Sequence, residues 1–473
     1  VDVLEAATYL PYPNWLNPAD NTWQLVAATL VGLMSLPGLA VLYGGLVRKK
    51  WIVNTMLMTF AGFSLTLVVW MLWGYNMAFG TLSHFGPTGS FWSGFIGHFQ
   101  PLSTASSEQG QAVSGANSLI PFHFPTATLA YFQFVFAAIT PLLFMGALVG
   151  RLKFKAWLLI VPLWITVVYC VNAALLWGGG FFSQKGAVDY SGGYVIHLSA
   201  GVAAFVGAWI VGPRRWQDRE NAFPSNLMMV AVGAGILWLG WNGFNGGDPF
   251  YAGADAASAV LNTNVATAAA LLTWLFWDMF LSKQKKPTFL GAINGMICGL
   301  VAITPSAGWV NGTGALIVGV VASSVVWVAW NFLSKCRPFS KVDDALGVVY
   351  THGFAGLTGG LLVGILADPN MVQYGIKGKN YKGPGNFHVA GWFFGHSFHQ
   401  LWEQFLAALW IIGYTAAGTA LVFYVVKLLL GGLRESEETL REGDIAIHEE
   451  EAFPEPTFGE PVGSPSHSHS DNV

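Results

Sequence analysis

The sequence predicts an all-α integral membrane protein of eleven transmembrane helices. They form two inverted five-helix repeats plus a C-terminal helix, with the N-terminus outside and the C-terminus inside. Three observations carry this expectation. Only 10% of the 473 residues are charged, against 53% hydrophobic, whereas soluble domains carry about 25% charged residues. The uncharged runs are long enough to cross ~30 Å of hydrocarbon, which takes about 20 apolar residues. The basic residues also segregate into alternate loops, the pattern that sets orientation in membranes. The abundance of Gly, Phe and Trp (57, 34 and 21) fits close-packed helices with interfacial aromatics.

The uncharged runs, in order, are 21–47, 51–107, 109–150, 156–184, 190–213, 221–247, 256–277, 287–334, 345–367 and 404–426. The first ends at the basic cluster Arg48-Lys49-Lys50 and holds one span. The second also holds one, because beyond Gly80 it turns to Gly, Ser, Pro, His and Gln and reads as an external loop. The run 287–334 is long enough for two spans, and Pro305-Ser306-Ala307-Gly308 with Asn311-Gly312 supplies the turn between them. Each other run holds one, giving eleven.

With eleven spans threaded, Arg48-Lys49-Lys50, Arg151/Lys153/Lys155, Arg214/Arg215/Arg219, Lys283/Lys285/Lys286, Lys335/Arg337/Lys341 and Lys427/Arg434/Arg441 fall on one side. The other side receives only Lys185, Lys377, Lys379 and Lys382. An error in span parity would scramble this split of 18 to 4, and Lys/Arg-rich loops stay cytoplasmic. The net charge of −3 conceals a division: residues 1–433 carry +6 and residues 434–473 carry −9. The domain reading is an extracellular segment 1–21, a membrane domain 22–431, a cytoplasmic segment 432–452 and a disordered tail 453–473 rich in Pro, Ser and His. Residues 1–20 are polar and do not read as a cleavable signal. Cys170, Cys298 and Cys336 are too scattered for a disulfide framework or a Cys-based metal site. Nothing in the composition points to nucleic acid.

Histidine gives the sharpest filter for function. Of eleven, His84, His98 and His388 fall in external loops, His123, His396 and His399 at outer helix ends, and His448, His467 and His469 in the tail. Only His197 and His352 fall well inside spans, the fifth and the tenth. Both sit in the same string, H-x-x-A-G, as His197…Ala200-Gly201 and His352…Ala355-Gly356. Each closes a five-helix unit, and an odd unit repeated is inverted, a plan that places binding near the repeat interface. At ~1.5 Å per residue both histidines lie near the midplane, roughly 8 Å apart along the membrane normal, a separation that allows their rings to meet. Ionisable groups at that depth are functional candidates. Asp189, two turns before His197, reads as a helix N-terminal carboxylate held by backbone N–H groups. Asp278 and Glu403 sit near helix ends and read as pairing with neighbours.

Several segments carry a family resemblance. Gly44-Gly45-Leu46-Val47-Arg48, Trp177-Gly178-Gly179-Gly180, Asp189-Tyr190-Ser191-Gly192-Gly193 leading to His197, Gly240-Trp241-Asn242-Gly243-Phe244-Asn245, Asn262-Thr263-Asn264 and His352-Gly353 resemble the ammonium transporter (Amt/Mep/Rh) family from about residue 22 to 452. Gly247-Asp248-Pro249 and Trp277-Asp278 look most like the branch containing plant type-2 transporters. The resemblance implies a homotrimer in the cell membrane with one pore per subunit. It implies an outer cation site shaped by Trp164, Phe132 and Asp248, stacked rings Phe136 and Phe244 closing the pore below, and His197 and His352 paired in the channel. Asp189 is implied to organise the entry without touching the ion. The tail segment Gly432-Leu433-Arg434 to Glu450 resembles a cytoplasmic coupling segment, which implies a PII-type regulatory partner. It departs from the family pattern by being one residue shorter and by carrying Glu449 where Gly is usual. Asp248 replaces a common Ser, and Val149-Gly150-Arg151 lacks an acidic residue common before that Arg.

The chemistry can be reasoned independently. Ammonium and potassium share charge and approximate size, and aromatic rings attract either by roughly 0.5–2 kcal/mol each. Ammonium alone can shed a proton, and a dry passage penalises any ion. A neutral histidine pair can hydrogen-bond ammonia and relay a proton as a coupled unit. The expected function is therefore recruitment of ammonium, deprotonation and passage as ammonia, with no cofactor and no enzymatic reaction. An ammonium sensor on the same pore is disfavoured because no kinase or cyclase domain follows residue 434. A metalloenzyme is disfavoured because metal sites want three or more ligands and no third mid-membrane His or Cys is near. An electroneutral gas channel differs only in whether current accompanies flux.

Overall fold

The computed structural model describes residues 12–82, 90–92, 94–113, 122–371 and 389–454. His84, His388, Lys377, Lys379, Lys382 and most of the expected tail lie outside the described residues. Among the described residues the regular structure is helical. The long elements are α1 (Pro18–Leu46), α2 (Lys49–Phe79), α3 (Thr126–Met145), α4 (154–176), α5 (Gly193–Val211), α6 (Leu227–Gly246), α7 (Ala254–Phe280), α8 (Phe289–Ile303), α9 (Gly312–Asn331), α10 (Val349–Leu366) and α11 (His399–Leu430). Among the described residues, ten helices are long and apolar enough to cross a membrane; α8, of 15 residues, is a shorter apolar one. The run 287–334 does divide into two helices, α8 and α9, at the predicted Pro/Gly/Asn turn.

Helix starts follow side-chain capping. Asn17 accepts from Ala19 N (2.9 Å), with Pro18 opening α1. Asn226 accepts from Met228 N at α6, Thr288 from Gly291 N at α8 and Asn311 from Gly314 N at α9. In a membrane a buried hydroxyl left without a partner is costly. Thr55, Thr59, Thr66, Thr263 and Thr267 accordingly donate to the carbonyl four residues earlier. Tryptophan indoles tie neighbouring helices: Trp70 Nε1 donates to Ala130 O and Trp157 Nε1 to Met58 O. Helix α3 is almost wholly buried at the hub of the bundle. Leucines, valines and phenylalanines such as Leu33, Phe60, Val68, Leu239, Leu272 and Leu421 face outward, an apolar surface suited to lipid. Asp278 accepts from Trp327 Nε1 (2.9 Å), and Glu403 lies 3.9 Å from His399 one turn away.

Among the described residues, five helices contain a widened π-helical turn: 34–38 around Pro37, 70–74, 165–169, 193–198 and 349–354. Such turns mark kinks and functional positions. The last two hold His197 and His352.

Basic loops meet at one end of the bundle. Arg151 is fully buried and donates to Gly212 O (3.0 Å), Val149 O (3.3 Å) and Asp343 O (2.5 Å). Three carbonyls thus hold its guanidinium, with the charges of Asp343 and Asp344 near enough to act on it. Arg214 grips the Asp343 carboxylate with Nε and Nη2 at 2.9 and 2.8 Å, and Arg48 pairs with Asp218. The segment after α11 packs on the same end through α12 (Glu437–Glu442) and α13 (Asp444–His448). Leu433 O accepts from Lys153 N, and Lys50 Nζ donates to Leu440 O (2.7 Å). Asp444 caps α2 by accepting from Val53 N and Asn54 N at 2.8 and 2.9 Å. Glu449 has φ 57, a left-handed conformation that suits glycine.

Candidate functional site

The site is built where α5 and α10 cross. Ahead of α5, Gly192 turns left-handed (φ 108). One Asp189 oxygen then accepts from Tyr194 N (3.0 Å) and Val195 N (2.9 Å), so Asp189 caps the widened turn as the sequence suggested. Ahead of α10, Gly347 turns left-handed (φ 77). Asp344 accepts there from Gly347 N, Val348 N and Val349 N at 3.0, 3.0 and 2.8 Å. Asp344 stands eight residues before His352, just as Asp189 stands eight before His197. Sequence reading missed Asp344, although the repeated D-x7-H-x-x-A-G spacing carries the signal.

The glycines of the repeated string explain the close crossing. A Cβ on Gly201 would overlap the backbone of Gly353, and one on Gly356 would sit 2.6 Å from Gly193 O and 3.1 Å from His197 Cβ. Each repeat's glycine therefore makes room for the other repeat's histidine segment. The result is a direct contact, with His197 Nδ1 and His352 Nδ1 3.2 Å apart and ring centroids separated by 5.2 Å. A hydrogen bond between two Nδ1 atoms requires one to carry the proton and the other a lone pair. Both residues are buried, and Nε2 of His197 has no hydrogen-bond partner among the described residues. The His197 ring stacks on Trp241 at 5.3 Å and lies 5.9 Å from Phe244, while Trp241 Nε1 is anchored on Thr304 Oγ1 (2.8 Å).

Phe136 and Phe244 stack at 4.3 Å, next to His197. Phe132, one turn earlier on α3, lies 4.7 Å from Phe136. Asp248 directs its carboxylate to the Ser191 hydroxyl, which also lies 3.3 Å from Phe244 O. The carboxylate thus faces the Asp189 loop, with 6% of Asp248 exposed. The structure brings together Phe132, Phe136, Phe244, Asp248, Asp189, His197 and His352.

Trp164 does not join them. Its Nε1 donates to Thr419 Oγ1 on α11 (2.9 Å), and its ring packs 4.9 Å from Phe144, two turns along α3 from Phe136. The tryptophan beside Phe136 is Trp177, with centroids 6.4 Å apart and Nε1 donating to Asp189 O (2.7 Å). Depth separates the two. Trp177 lies 13 residues beyond Trp164, about 20 Å along the helix. That arithmetic, applied to Trp177-Gly178-Gly179-Gly180, would have found it.

A family model described as the Ammonium Transporter Family matches residues 22–453. Ammonium transporter 3 member 2 of Oryza sativa subsp. japonica is 44% identical over 445 residues, covering 93% of this chain and 90% of that relative. Ammonium transporter 2 of Arabidopsis thaliana is 43% identical over 451 residues, covering 93% and 89%. Among solved structures, Saccharomyces cerevisiae Mep2 superposes with a TM-score of 0.74 at 28% identity, covering 90% of this chain and 89% of that one.

Proposed function

The chain belongs to the ammonium transporter family, and from that membership we propose that it recruits ammonium at the outer aromatic and acidic site, deprotonates it and conducts ammonia past His197 and His352. The carrying observation is the buried histidine contact, Nδ1 to Nδ1 at 3.2 Å next to the Phe136–Phe244 stack. A cation entering that stack would exchange its water for aromatic rings, which disfavours every permanently charged ion. Ammonia needs only hydrogen bonds, and Nε2 of His197 has no partner among the described residues. The shared Nδ1 proton offers a route by which the released proton follows separately, so transport is electrogenic. Trp177 replaces Trp164 in the outer site, alongside Phe132 and Asp248, while Asp189 holds the entry loop. The eleven helices span the cell membrane with the basic, tail-bearing end cytoplasmic, and the working unit is a homotrimer. A PII-type regulator would meet that same end.

The experiment is current recording from proteoliposomes on an ammonium step at several pH values. A current that tracks ammonium flux is expected. Sustained ammonia flux with no current at any pH would replace the reading with electroneutral passage.

A further inference from the structure

The turn after α6 contains a conformation that the function described so far does not explain. Phe250 has φ 64, a region that residues bearing a Cβ rarely occupy and that glycine or asparagine occupies at little cost. Strain of this kind persists only where surrounding contacts impose it, and it clusters at ligand sites. Here the contacts are aromatic. The Phe250 ring lies 6.0 Å from Phe132 at 80° and 5.2 Å from Phe122 at 90°. Because Phe132 is one turn from Phe136 and Phe122 precedes the start of α3, Phe250 extends the ring series beyond the Phe136–Phe244 stack. The same turn, closed by Phe250 N donating to Gly247 O (3.0 Å), also carries Asp248. At Gly247 a Cβ would overlap the Phe132 ring, so the turn can sit directly against that ring. One four-residue turn therefore fixes both a carboxylate and a partly buried ring at the mouth of the outer site.

We propose that Phe250 is a size filter for the outer cation site, admitting ammonium and discriminating against its N-alkylated forms. This rests on the outer-site reading given above. Ammonium presents an N–H in every direction, so it can donate to the Asp248 carboxylate while its remaining faces meet rings. A methyl group removes one donor and adds bulk that must be lodged against the ring nearest the entrance. A fitted apolar wall discriminates one carbon by about 10- to 200-fold.

The test measures kcat/KM for methylammonium and for ammonium in proteoliposomes and takes their ratio. Phe250→Gly removes the ring and suits the left-handed turn, and Phe250→Asn is a second variant that tolerates the same conformation. Both are expected to raise the methylammonium-to-ammonium ratio by about tenfold. Asp248→Ala, measured alongside, is expected to lower uptake of both cations together. If Asp248→Ala lowers uptake but neither Phe250 variant changes the ratio, the filter is overturned and the outer site stands. If Asp248→Ala leaves both uptakes unaltered, the outer-site reading and the filter fall together.

Discussion

Replacing Gly356 by alanine adds one methyl group to a residue with no polar side-chain atoms, yet it should disable the pore. The new Cβ would lie 2.6 Å from Gly193 O, 3.0 Å from Leu198 N and 3.1 Å from His197 Cβ. Carbon and carbonyl oxygen rest at about 3.3 Å or more, so α5 and α10 must part by roughly 0.7 Å at this point. If the whole displacement passes to the histidines, their Nδ1 atoms move from 3.2 Å to about 3.9 Å, beyond hydrogen-bond range. Overpacking of this size costs about 1–3 kcal/mol, and misplacement of a reacting group by about 1 Å can cost ~100-fold in rate. Ammonium flux into proteoliposomes should fall roughly 10- to 100-fold, with a lower thermal midpoint in detergent. Gly235→Ala and Gly413→Ala provide the controls, since a Cβ at either meets nothing within 4 Å; there the helix favours alanine by about 1 kcal/mol. Wild-type flux through Gly356→Ala, at equal protein incorporation, would refute the claim that the glycine crossing sets the histidine pair.

Trp177→Leu should raise the KM for ammonium about tenfold, the order expected on losing a desolvated cation–π partner. Trp164→Leu should leave KM in place and lower the thermal midpoint, because its indole N–H bridges to Thr419; a reversed pattern would restore Trp164 to the outer site. Asp344→Ala removes the acceptor for three backbone N–H groups ahead of His352 and should cost about 1–3 kcal/mol, with flux falling too; Asp344→Asn should fall less. At the basic end, burial alone would raise the Asp343 pKa, but the Arg214 hydrogen bonds and the charge of Arg151 outweigh it and hold the carboxyl at about 2. Its folded value lies below the unfolded ~3.9, so about 2 kcal/mol of stability is present above pH ~4 and is lost as pH falls through 2. Asp343→Asn should therefore lower the thermal midpoint at pH 7 and by about half as much at pH 3; an equal gap at both would contradict the ion-pair assignment.

The parts of this fold that were legible from sequence are those written in local patterns. Uncharged runs and turn residues located α1 to α11, including the split between α8 and α9, because insertion into hydrocarbon is decided segment by segment. His197 and His352 stood out because burying two imidazoles in apolar helices is unusual, and the H-x-x-A-G string flagged their equivalence. Less legible were features that depend on two distant segments meeting. Asp344 looks like an ordinary loop carboxylate until its three backbone donors are seen, and only its spacing to His352 betrays it. Trp164 and Trp177 are both tryptophans of one helical stretch, and composition cannot tell which one reaches Phe136. Asp444 capping α2 across almost the full length of the chain has no local signature, since any exposed helix N-terminus would accept a carboxylate. The left-handed conformation of Phe250 was likewise invisible, because its ring meets Phe122 and Phe132 from distant parts of the chain.

The most direct measurement is the ammonium-over-potassium flux ratio of the His197→Ala/His352→Ala double variant beside wild type, in the same proteoliposomes. Deprotonation followed by ammonia passage along the histidine pair predicts that wild-type flux is selective for ammonium and that selective ammonium flux is lost in the double variant. A double variant that still prefers ammonium over potassium as strongly as wild type would contradict it.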